Sequence, residues 1–124
     1  MPFQFSKAAL IEKNNAAITA AQAVINRLDE IGGLPTDLET KRLAQRTRAR
    51  NLITQLRTVN ANLRAAATVV EPLSDADADE LNELGNALDE QIASDAILNA
   101  TLDFVTSVLN DVGRLQALVS SARA

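Results

Sequence analysis

The sequence predicts an all-α fold: an up-down-up antiparallel three-helix bundle, coiled-coil-like, spanning residues 1–124 as one domain. Three observations carry this prediction. The chain is 47% hydrophobic but aliphatic and Ala-rich, with four Gly, three Pro and no Trp or Tyr. Apolar residues recur three and four apart over long stretches. Those stretches are divided at only two places, around Gly32-Gly33-Leu34-Pro35 and around Pro72.

The first helix is expected over about residues 6–31. Ser6 is a candidate N-cap, and Phe5 with Leu10 has the spacing of a hydrophobic staple. Ile11, Ile18 and Ile25, with Ala21 and Leu28, repeat every seven residues. Leu10, Ala17, Val24 and Ile31 make a second apolar row beside them. So wide a face needs more than one partner helix. Gly32 and Gly33 can supply positive φ to end the helix, and Pro35 forbids its continuation.

The second helix is expected over 36–70. Thr36-Asp-Leu-Glu39 reads as a capping box, and Pro72 disfavours helix at the residue before it. Ala49, Leu52, Leu56, Val59, Leu63, Ala66 and Val70 form its seam, with Gln45 and Arg42 at the same register in the first turns.

The third helix is expected to be the longest, over 74–120, with Ser74 as N-cap and Asp75, Asp77 and Asp79 favoured by the helix dipole. Leu81, Leu84, Leu88, Leu98, Leu102, Val105, Leu109, Val112 and Val119 share one heptad register. Ile92, Ile97, Phe104, Val108 and Leu115 widen the face. No Pro interrupts it. Gly85-Asn86 and Ala93-Ser94-Asp95 mark where it can bend, within residues 85–95, and a bend is the most that is expected.

The net charge of −4 conceals an asymmetry. Between Lys41 and Arg64 lie Lys41, Arg42, Arg46, Arg48, Arg50, Arg57 and Arg64 and no acid, whereas between Glu71 and Asp111 there are eleven acids and no base. Folding the third helix back on the second about Pro72 would level Arg57 with Asp89, Arg50 with Asp95, and Arg42 with Asp103. Asp95 falls at a core-like position, which admits an Asn14–Arg50–Asp95 polar layer inside the bundle, but a broad seam that leaves Asp95 facing solvent is the favoured reading.

Helix lengths do not match in this reading. A straight third helix would reach about 69 Å against about 38 and 52 Å for the others. Val112, Leu115, Leu118 and Val119 would then form an apolar stripe that the bundle leaves uncovered. These four are the expected partner-binding residues, unless the helix breaks and folds back. Phe3 and Phe5, at the other end, are expected to cover the tops of helices two and three.

The chemistry available is narrow. With no His, Cys or Tyr, the acid–base groups are carboxylates and Lys7, Lys13 and Lys41, and no usual base can activate a Ser or Thr nucleophile. Asp75, Asp77 and Asp79 open like an EF-hand loop, but Glu80 stands at the Gly position and Asn86 at the bidentate Glu position, so no metal site is expected. Glu80-x-x-Glu83 is similar to the first acidic pair of the all-α nucleotide pyrophosphohydrolases, which hold magnesium with helix carboxylates. The second acidic pair of that family is missing. The Arg50, Arg57 and Arg64 stripe has no interleaved aromatics and an acidic neighbour in this reading, so nucleic acid is not expected.

The functional expectation is therefore a non-enzymatic helical structural or interaction module, without cofactor, that self-associates or binds a partner helix. The alternatives are an amphipathic coat of a lipid or hydrophobic surface and, less favoured, a magnesium-dependent nucleotide hydrolase. No apolar run is long enough for a transmembrane span, and MPFQFSKAAL has no leader pattern, so a cytoplasmic home is expected.

Overall fold

The computed structural model describes residues 4–65 and 69–122. It contains four helices rather than three: α1 (Lys7–Glu30), α2 (Thr36–Arg64), α3 (Asp75–Ala93) and α4 (Leu102–Ser121). Among the described residues there is no strand. The single long third helix of the sequence reading is a helical hairpin.

Several ends form as their residues dictate. Ser6 accepts a hydrogen bond from the Ala9 N–H at 3.1 Å, and Ser74 accepts one from Asp77 at 3.2 Å. Gly33 takes φ +69° after α1. The α2 capping box does not form. Pro35 occupies the cap position, and the Glu39 carboxylate is held by Arg42 instead. A charge-assisted contact with a guanidinium outcompetes the neutral amide.

α2 stops at Arg64, six residues short of the expected end. Val69 and Val70 are β-branched and lie just before Pro72, outside any helix. Ala66, one of the expected seam residues, lies outside the described residues, as does Phe3.

Thus the α2–α3 connection is no tight turn. It runs against the start of α1 and the end of α4. Gln4 Nε2 donates to the Val70 carbonyl, Lys7 Nζ to that of Ala65, and the Glu71 N–H to that of Ala122 at 2.6 Å. Leu73 is buried within it.

The break between α3 and α4 uses no glycine or proline. Ser94 caps α3, and Asp95 adopts the left-handed conformation at φ 58°, ψ 21°. Asp tolerates this region better than most residues. A 3₁₀ turn over Ala96–Asn99 follows, and the Thr101 hydroxyl accepts from the Phe104 N–H to start α4. Ile97 and Ala100 are buried in the corner, and Arg27 Nε ties α1 to it by donating to the Ala100 carbonyl at 3.0 Å.

Folding back covers the apolar stripe. Val112, Leu115, Leu118 and Val119 are 0, 0, 2 and 0% exposed. They are core, not an open partner surface. Burying each such side chain contributes about 1.5–3 kcal/mol, whereas one left-handed residue costs about 1–2 kcal/mol. The balance favours the break.

In cross-section the bundle is a rhombus. α1 and α4 occupy the central edge and each packs against all three other helices, while α2 and α3 sit on opposite corners. Arg48 and Leu52 lie beside Gly113, and Gln45 donates to the Leu102 carbonyl, so α2 and α4 run parallel. Lys13 lies beside Gly85 while Arg27 reaches Ala100, so α1 and α3 are parallel too. One core joins all four.

Candidate functional site

Separating α2 from α3 overturns the expected charge pairing. Arg57, Arg50 and Arg42 do not meet Asp89, Asp95 and Asp103. Arg42 bonds to Glu39 on its own helix and donates to the Leu28 carbonyl at 2.9 Å. Lys41 takes Asp103 at 3.0 Å, Arg46 takes Asp29 at 2.8 Å, and Arg114 of α4 takes Glu80 and Asp77 of α3. The alternative polar layer does not form, and the solvent-facing reading of Asp95 holds. Asp95 is exposed in the hairpin, and the buried amide of Asn14 donates instead to Asn60 Oδ1 at 3.0 Å, while Asn60 Nδ2 donates to Asn15. Gln45, on the seam as expected, donates from Nε2 to the Leu102 carbonyl and the Thr106 hydroxyl, both at 2.8 Å, while its buried Oε1 has no partner among the described residues.

What remains is a molecule with two uncompensated faces. Among the described residues, Arg48, Arg50, Arg57 and Arg64 are exposed and form no ion pair. Arg46, Arg50 and Arg57 line a groove of about 360 Å³ between α1 and α2, together with Gln22, Thr54 and the apolar Ile25 and Ile53. On α3, Asp79, Glu83 and Glu90 are exposed and equally unpaired. At 100° per residue they fall on one stripe, opposite the buried Ala78, Leu81 and Leu88.

Elsewhere the candidates are more ordinary. A groove of about 430 Å³ between α1 and α3 is lined by Glu12, Lys13, Asn86 and Asp89, so its charges are mixed. The Lys13 ammonium stands 5.6 Å from the Phe5 ring centre. Phe5 itself is buried, serving the core rather than an outside partner.

Glu80, the first acid of the Glu80-x-x-Glu83 pair, accepts two hydrogen bonds from Arg114, at 2.8 and 2.7 Å. That guanidinium holds its carboxyl below the usual range, as Arg42 does for Glu39. Burial pushes Asp111 the other way, upward. Among the described residues no group of three or more carboxylates is placed to hold a metal ion, and no helix is long and apolar enough to cross a membrane.

Sequence reasoning considered the arginine stripe but cancelled it against α3, because it placed those helices side by side. No family model, no curated protein and no solved structure matches the chain.

Proposed function

We propose that the protein is a non-enzymatic helical interaction module that binds carboxylate-bearing helical segments along the α1–α2 groove. The observation that supports this reading is the set Arg50, Arg57 and Arg64 on one flank of α2, exposed and without partners in the described chain. Their seven-residue spacing corresponds to about 10.5 Å of rise, the repeat at which a helix laid alongside returns its own residues to the same side. Arginine suits the task because its planar fork matches a carboxylate with two parallel hydrogen bonds. Ile25 and Ile53 supply apolar contact in the same groove. Exposed pairs contribute about 0–1 kcal/mol each, so the charges select and orient the partner more than they hold it.

A phosphate backbone is the competing ligand for such a stripe. The net charge of −4 and the lack of any aromatic in the groove disfavour it. A hydrophobic-surface coat would require the bundle to open, since the apolar faces of all four helices are buried against one another.

The test is fluorescence anisotropy with a labelled helical peptide carrying Glu at every seventh position, beside an oligonucleotide of equal charge. Peptide binding should weaken at least about tenfold in Arg50→Glu/Arg57→Glu and fall with added salt. Equal binding by wild type and variant, or tighter binding of the oligonucleotide, would overturn the reading.

A further inference from the structure

The acidic α3 stripe and the basic α2 flank of this one chain carry the same spacing. Arg46, Arg50 and Arg57 are separated by four and seven residues; Asp79, Glu83 and Glu90 are also separated by four and seven. Four residues rise about 6 Å and seven about 10.5 Å, so two helices laid parallel would bring each arginine level with a carboxylate. Within a single molecule this match is unused, because α2 and α3 stand on opposite corners of the bundle and share no extended interface.

We propose that the partner is a second copy of this chain, whose α3 docks on the α1–α2 groove with Asp79, Glu83 and Glu90 facing Arg46, Arg50 and Arg57. The proposal rests on the carboxylate-binding reading above and names its ligand. Among the described residues, Arg50 and Arg57 form no ion pair with an acid, and Glu83 and Glu90 form none with a base, so both faces meet the partner uncompensated. Arg46 already holds Asp29 and would share its guanidinium between the two carboxylates.

Opposite-corner placement fixes the kind of assembly. One copy cannot present its basic and acidic faces to the same neighbour, so the contact is heterologous and leaves a free face at each end. Association therefore builds a chain of copies, open or closed into a ring, rather than a two-fold dimer. It weakens with salt, because exposed pairs are screened within about 10 Å at 0.1 M ionic strength.

Two charge-reversed variants give a decisive test. Arg50→Glu/Arg57→Glu has two acidic faces, and Glu83→Arg/Glu90→Arg has two basic ones. All four positions are exposed, and far-UV circular dichroism on each variant serves as the check that it folds. In sedimentation velocity at about 50 mM salt, the wild type should form a concentration-dependent series of species that collapses to monomer near 0.5 M. Each variant alone should be monomeric, and an equimolar mixture should associate again, since every contact then joins an acidic face to a basic one.

A wild type that stays monomeric at low salt overturns the proposal, as do variants that associate alone or a mixture that does not. If the wild type is monomeric but still binds the heptad-glutamate peptide, the copy is the wrong occupant and the module reading stands. If the peptide also fails to bind, both fall.

Discussion

Replacing Leu115 with Ala distinguishes the folded-back helix from a straight one. Leu115 is 0% exposed in the C-terminal half of α4, within the core shared by all four helices. Truncating such a leucine removes its transfer free energy and leaves a cavity, at a cost of about 2–5 kcal/mol. A domain of this length has a total stability of about 6–19 kcal/mol at 0.05–0.15 kcal/mol per residue, so a substantial fraction would be lost. With a urea slope of about 1–3 kcal/mol per molar, the midpoint should drop by roughly 1–3 M, with the slope unchanged. Leu98→Ala in the 3₁₀ turn serves as the control, because Leu98 is 43% exposed and its truncation removes far less burial. Urea melts followed by circular dichroism at 222 nm (about one amide band) measure both. If Leu115→Ala costs less than about 0.5 kcal/mol, the range of surface substitutions, α4 is not packed as described.

Three further outcomes follow from the same packing. Asn60→Ala strands the buried Asn14 amide and should cost about 1–3 kcal/mol in the same urea assay, whereas Asn14→Leu/Asn60→Leu should recover part of that loss. Gly113→Ala should stabilise by about 0.5–1 kcal/mol, read as a rise in the melting temperature. The site is mid-helix, and an added Cβ meets the Arg48 guanidinium at 3.6 Å and Leu52 at 3.9 Å, ordinary contact distances. Asp111 has its pKa raised by burial, so its ionised form disfavours the fold; Asp111→Asn should raise the melting temperature above the carboxylate range and leave it unchanged once pH falls below both pKa values. A melting temperature that does not respond to pH differently in that variant would assign the burial effect elsewhere.

The local parts of the fold were legible because local chemistry decides them. Ser6 and Ser74 cap as their positions suggest, whereas α1 ends at an extended Ile31 and the positive φ of Gly33 serves the turn beyond it. Ala49, Leu52, Leu56, Val59 and Leu63 are all buried along one seam, as their spacing requires. The α3–α4 break was not legible in the same way. No proline or glycine marks it; an Asp in a left-handed conformation and a Thr cap at Thr101 suffice, and both are common inside helical patterns. Ala93-Ser94-Asp95 marked the place, though only as a bend, and Thr101 followed by Asp103 at the second helical position was a further local signal. The stronger signal was global, in the length mismatch that left Val112, Leu115, Leu118 and Val119 without cover.

The arrangement of charge depended on topology. Complementary blocks in sequence suggested neighbouring helices, but each block could also face outward on opposite corners. Which occurs depends on whether the link from α2 to α3 turns back or crosses the end of the bundle. α2 ends at Arg64 rather than near residue 70, which lengthens that link. Once it crosses, α4 takes the place beside α2, and the α2 arginines and α3 carboxylates face outward on opposite corners.

The hairpin of α3 and α4 underlies every functional inference drawn from the fold, and a single distance tests it. The native chain has no cysteine, so Asp79→Cys/Ala117→Cys admits one pair of spin labels at two exposed positions. Double electron–electron resonance on the doubly labelled protein, diluted with unlabelled protein at high salt, reports the intramolecular separation. Arg114 and Glu80 are in direct contact across the hairpin, and adjacent helix axes lie about 8–10 Å apart, so the labels should be separated by less than about 25 Å. An unbroken helix would hold them about 57 Å apart, and a distribution centred there would contradict the account.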